Sequence, residues 1–153
     1  MAKLILVSLL ITFTVAEIRT SISEVEKTLR PQLDAYKEAV YSKNFKKVVD
    51  FYHSSAVLVE TGKAVYHTPE KIVDAIQKYY TETGVNVKAQ SLIDSEEFSG
   101  GGKILSYSNK WTMHNSNEIL KGPYFQIWVL NDENQWKIYH DEFSIAERIS
   151  KTK

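Results

Sequence analysis

At Gly84 the apolar spacing of this chain changes from a helical period to a period of two, and it does not change back. Before that point hydrophobic residues recur three and four apart. After it they alternate with polar residues over stretches long enough to be strands. Helices first and strands last cannot make a parallel sheet of alternating β–α units. Such a chain has to lay an antiparallel sheet against its helices, an α+β layout.

The helical half has three segments. Ser23-Glu24-Val25-Glu26 fits a capping box, with Glu26 three residues after the Ser23 cap. Val25, Leu29, Leu33, Tyr36, Ala39 and Val40 continue its apolar stripe to about Ser42. Pro31 falls inside this stripe and predicts either a kink or the true start of the helix. Asn44 then caps a short helix whose apolar face is Phe45, Val48, Val49 and Tyr52. Residues 56–60 read as a short strand that turns through Thr61-Gly62-Lys63 into Ala64-Val65-Tyr66. Thr68-Pro69-Glu70 supplies a cap, a proline at the first helical position and an acid in the first turn. The third helix buries Ile72, Val73, Ile76, Tyr79 and Tyr80, and Gly84 ends it.

The strand half predicts strands over 85–98, 103–114, 118–130 and 135–145, joined by Ser99-Gly100-Gly101-Gly102, Asn115-Ser116-Asn117 and Asn131-Asp132-Glu133-Asn134. Long strands with short turns make an antiparallel meander. One strand is apolar on both faces: Tyr124, Trp128 and Leu130 alternate with Phe125, Ile127 and Val129, and Gln126 is the one polar residue among them. A single-layer sheet would leave one face wet, so either helices cover both sides or a second copy covers the outer face; a homodimer through the outer sheet face is the expectation.

The 19 basic and 19 acidic side chains form no basic stripe or like-charged run, which argues against a nucleic-acid partner or a polybasic membrane anchor. The absence of cysteine removes disulfides, thiolate catalysis and iron–sulfur chemistry together. At the N-terminus, Lys3 precedes an apolar run over 4–15 that is too short for a bilayer span. Thr14-Val15-Ala16 then offers small or β-branched residues where a signal peptidase reads. Residues 1–16 are therefore expected to be a cleaved secretory signal and 17–153 one secreted domain.

The kinked helix, short second helix, brief hairpin, Thr68-Pro69-Glu70-Lys71-Ile72 helix start and four-strand meander together resemble the nuclear transport factor 2-like superfamily. Within it they look most like the SnoaL-like small domains. Tyr41-Ser42-Lys43-Asn44-Phe45, the stretch 51–59 beginning Phe51-Tyr52-His53, and the stretch 136–144 beginning Trp136-Lys137-Ile138 carry the match. The resemblance implies a cone-shaped, strongly curved sheet wrapped on about three N-terminal helices, an enclosed pocket, and dimers. The ketosteroid isomerase branch of the superfamily uses a phenol on the first helix as oxyanion donor and a carboxylate at the end of the first strand as base. Carried onto this sequence, those positions are Tyr36 and Glu60. The branch's second donor, an acid on the penultimate strand, has no counterpart in Pro123-Tyr124-Phe125-Gln126.

Other chemistries have little support. His53, His67, His114 and His140 are far apart and lack metal-ligand spacing, so no metal or cofactor is expected. Gly100-Gly101-Gly102-Lys103 has no Ser or Thr after the lysine and no following helix, and there is no Gly-x-Ser-x-Gly elbow. In the last strand, strict alternation puts His140 with Trp136 and Ile138 and puts Asp141 with Tyr139 and Phe143 on the side of Lys137. This makes His140 the pocket candidate. Nine tyrosines, six phenylalanines and three tryptophans can wall a pocket for a mostly apolar or aromatic small molecule. The expected contacts are Tyr36, Glu60, Trp111, Gln126 and His140. Three readings stay open: a non-enzymatic binding pocket, a cofactor-free isomerase, cyclase or dehydratase with Glu60 as base and Tyr36 as donor, and an assembly domain with a filled pocket.

Overall fold

The computed structural model describes residues 24–83, 91–114 and 117–151. The expected N-terminal signal over 1–16, the expected Ser23 cap and the expected Gly84 stop lie outside these residues. The helices are α1 (24–41), α2 (Phe45–Val49) and α3 (Pro69–Thr83). The strands are β1 (Tyr52–Glu60), β2 (Ala64–His67), β3 (Ser91–Gly101), β4 (Ile104–His114), β5 (Glu118–Leu130), β6 (Trp136–Phe143) and β7 (Glu147–Ser150). They form one curved, unclosed seven-stranded sheet in the order β2-β1-β6-β5-β4-β3, with β7 on β5. The α+β class and the antiparallel meander are as the sequence predicts.

Three details differ from the sequence reading. Helix α1 is already helical at residue 24, so Pro31 does not mark its start. Leu29 and Leu33, both 0% exposed, anchor the turns on either side while Pro31 faces solvent. Tyr52 does not lie on α2. That helix ends at Val49, and Tyr52 opens β1 with its ring 4% exposed. A strand the sequence reading lacks follows the last predicted one: β6 ends at Phe143, and the chain pairs with β5 again as β7. Strand β6 takes the stretch Tyr124–Leu130 of β5 and β7 takes Glu118–Lys121.

The β3–β4 hairpin turns on Gly102 and Lys103 alone, since Gly101 already pairs with Ile104. Gly102, at φ +60°, supplies the positive first torsion of a type II′ turn. Strand β1 pairs with β6 in parallel, a contact that closes the meander onto the first hairpin. Along β5–β6, Ile127 pairs with His140 but Trp128 pairs with Ile138, so Tyr139 is an extra residue. This bulge reverses which side of β6 faces inward beyond it.

The core lies between the concave face of the sheet and the helices. Leu29 and Leu33 of α1 and Ile72 of α3 meet Trp128 and Ile138 of the sheet, all 0% exposed. Each such aliphatic side chain contributes roughly 1.5–3 kcal/mol by burial. On the convex face Phe125, Ile127 and Val129 are half-buried, and Ile104 beside Val129 is 58% exposed.

Candidate functional site

Helix α1 presents Leu33, Tyr36, Lys37, Val40 and Tyr41 on one side, the spacing of adjacent turns. That side, with Ile76, Tyr79 and Tyr80 of α3, stands away from the inner faces of β4, β5 and β6 and leaves a cavity of about 670 Å³. The sheet closes it with Asn109, Trp111 and Met113 from β4, Leu120 and Tyr124 from β5, and Asp141 and Phe143 from β6. Leu58 and Glu60 of β1 complete the wall. Gly122 opposes Trp111 across the β4–β5 ladder, where a Cβ would lie 1.8 Å from the Ser144 carbonyl oxygen and 3.2 Å from the Trp111 ring. Glycine at this position lets the indole settle over β5, with Nε1 donating to the Pro123 carbonyl at 3.3 Å.

At the base of the cavity lies Asp141, 1% exposed. Its Oδ2 accepts from the Tyr52 hydroxyl at 2.6 Å, the Gln126 amide at 3.3 Å and the Tyr36 hydroxyl at 3.4 Å. Tyr36 and Tyr52 also bond each other at 2.9 Å. Gln126, 0% exposed, accepts from Trp128 Nε1 at 3.1 Å, which turns its NH₂ toward Asp141. Tyr124 faces the same group closely enough to shift its ionisation. Burial pushes the Asp141 carboxyl above its ordinary value, and the surrounding donors pull it part of the way back. Tyr36, Tyr52 and Tyr124 are pushed up as well, first by burial and then by the adjacent carboxylate. Among the described residues Asp141 Oδ1 has no hydrogen-bond partner, and neither has Asn109 Oδ1 on β4.

One end of the cavity is lined by ion pairs. Lys63 pairs with Glu60 at 2.9 Å, and Arg148 of β7 holds Glu118 with two contacts at 3.0 and 3.2 Å. On the wall between α1 and β4, Lys37 donates to the Tyr107 hydroxyl at 3.2 Å, and burial lowers its pKa. Tyr107 also accepts from Asn109 Nδ2 at 3.0 Å and donates to Glu96 at 3.2 Å. Glu96 is in turn held by Arg30, which keeps its carboxyl below the usual range.

The cavity brings together Tyr36, Glu60 and Trp111 of the residues predicted from sequence. Gln126 sits behind it, orienting Asp141 rather than lining the wall. His140 is on the convex face, 6.1 Å from the Phe125 ring and 2.9 Å from Glu142. The expectation that it faces the pocket is corrected by the bulge at Tyr139, which turns Asp141 inward in its place. Asp141, Tyr52, Tyr124 and Lys37 were not singled out from the sequence. Among the described residues no group of three or more histidines and acids is placed to hold a metal ion. No described helix is long and apolar enough to cross a membrane.

No protein-family model matches this sequence, and no curated protein is similar to it in sequence. Solved structures are similar in fold. A nuclear transport factor 2-like protein of unknown function from Pseudomonas putida superposes with a TM-score of 0.66 at 9% identity, over 80% of this chain and 87% of that one. A Parabacteroides distasonis protein, provisionally named a ketosteroid isomerase, gives 0.58 at 16% identity, over 75% and 85%. A Xanthomonas campestris protein, provisionally named a calcium/calmodulin dependent protein kinase II association domain, gives 0.59 at 16%, over 77% and 85%. This chain has the nuclear transport factor 2-like fold.

Proposed function

We propose that this nuclear transport factor 2-like chain is a secreted, dimeric pocket protein that binds a small, mostly apolar or aromatic molecule without transforming it. The cavity of about 670 Å³ carries the reading. Its size is that of a small-molecule site, its walls are largely aliphatic and aromatic, and a few polar tips converge on it. The half-buried strip Phe125, Ile127 and Val129 supports a second copy on the convex face. Secretion rests on the charged start and short apolar run over 4–15.

A cofactor-free isomerase is the second reading, and one observation favours it: Glu60, Tyr36 and Asp141 line the same cavity. In that chemistry Glu60 would take a proton from the carbon beside a carbonyl, and the enolate oxygen would be held by Tyr36. Two contacts favour binding over catalysis. Glu60 is already paired with Lys63, and Tyr36 bonds within the buried cluster, to Tyr52 and Asp141.

Native mass spectrometry of the protein secreted from eukaryotic cells tests the first reading. A dimer carrying a co-purified small molecule is expected, and Ile76→Trp, which fills the cavity, should lose that mass. A bare dimer from wild type would favour assembly or transient substrates instead.

A further inference from the structure

Among the described residues three cations line the cavity, and two of them are neutralised in place by Glu60 and Glu118. The third, Lys37, makes no salt bridge among the described residues. Its ammonium donates to a neutral phenol, Tyr107, and stands 4.9 Å over that ring. The Tyr107 oxygen is fully used, with Lys37 and Asn109 donating to it while its own proton goes to Glu96. Glu96, the acid closest to this network, is engaged by Arg30. Lys37 therefore has N–H donors with no protein acceptor among the described residues, on the wall of a largely apolar space. Burial weighs against its charge more than Glu96 and Asp34 support it. A cation taken partly out of water without a counter-charge is costly, and an anion brought into the cavity would relieve that cost.

We propose that Lys37 anchors a carboxylate, so that the ligand of this cavity is a carboxylic acid with an apolar body. The inference rests on the binding reading above and names its ligand class. The acid group would sit between α1 and β4 beside Tyr107. The body would lie along Val40, Leu58 and Ile76 toward Leu120, a space ample for a chain of about a dozen carbons.

Isothermal titration of the full secreted protein with dodecanoate and with dodecanol tests it. Both probes share the apolar body and differ in the charged head. Dodecanoate should bind at least about tenfold tighter, the scale of a hydrogen bond to a charged group. Lys37→Met, which keeps an unbranched apolar side chain but removes the ammonium, should bring the ratio of the two affinities close to one. Lys37→Arg should keep the preference, and Lys103→Met, in the exposed β3–β4 turn away from the cavity, should not affect it. Equal affinities in wild type overturn the inference, as does a preference that survives Lys37→Met or disappears in Lys103→Met. Dodecanol binding with no preference for the acid refutes only the carboxylate anchor. Failure of both probes to bind refutes the binding reading and the anchor with it.

Discussion

Replacing Tyr52 with phenylalanine removes one oxygen and bears directly on the buried cluster under the cavity. The hydroxyl donates to Asp141 Oδ2 at 2.6 Å and bonds Tyr36 at 2.9 Å, on a ring 4% exposed. A hydrogen bond to a neutral acceptor is worth about 1 kcal/mol, and one to a charged acceptor about 1.5–3 kcal/mol. Burial raises the Asp141 carboxyl above 3.8, and the Tyr52 bond is the strongest influence pulling it back down. Because the folded pKa is above the unfolded one, the stability from protonating Asp141 is complete below about 3.8 and is lost as pH rises through the folded value. Removing Tyr52's bond raises that folded value further. The cost of Tyr52→Phe should therefore grow with pH, from about 1 kcal/mol near pH 4 to about 1.5–3 kcal/mol once Asp141 ionises in wild type. Urea unfolding of both proteins at pH 4 and pH 9 measures this, provided the m-values agree. An equal cost at the two pH values, or a cost below about 0.5 kcal/mol at both, would refute the reasoning.

Two further substitutions probe the cavity wall and its chemistry. Gly122→Ala puts a methyl 1.8 Å from the Ser144 carbonyl oxygen, a backbone atom that cannot swing aside. It should cost about 3 kcal/mol or more and change Trp111 fluorescence, and a melt matching wild type would contradict the packing described. Glu60→Gln should leave ligand affinity nearly unchanged in a pure binder. If instead a turnover is found and falls by about 10²–10⁴-fold, Glu60 is a general base and the isomerase reading replaces the first.

Much of this arrangement is legible in the sequence because it follows from periodicity. The stripe from Val25 to Val40, the Thr68-Pro69-Glu70 start and the alternation of β4 and β5 each state their element locally. Placing Tyr36, Glu60 and Trp111 at one cavity needed only a resemblance in fold. The errors arise where a long-range contact changes the local rule. Strict alternation in β6 predicts His140 inward, but pairing with β5 squeezes out Tyr139 and shifts the phase by one residue. Nothing in Ile138-Tyr139-His140-Asp141 announces that bulge. Tyr52 follows the α2 stripe in sequence but belongs to β1, because α2 stops after Val49. Strand β7 is short and exposed, so it carries no apolar pattern, although it delivers Arg148 to the cavity. Lys37 reads as an ordinary helix-surface lysine until the fold sets β4 against it.

The central claim is that the space between α1, α3 and the sheet is a binding site. An amide and side-chain NMR titration of the protein with dodecanol measures this most directly. The account predicts saturable shifts at Tyr36, Trp111 and Leu120, with intermolecular contacts from the alkyl chain to the same residues and none at Ile127 on the convex face. No saturable shift at the cavity residues, or shifts centred on Ile127, would contradict it.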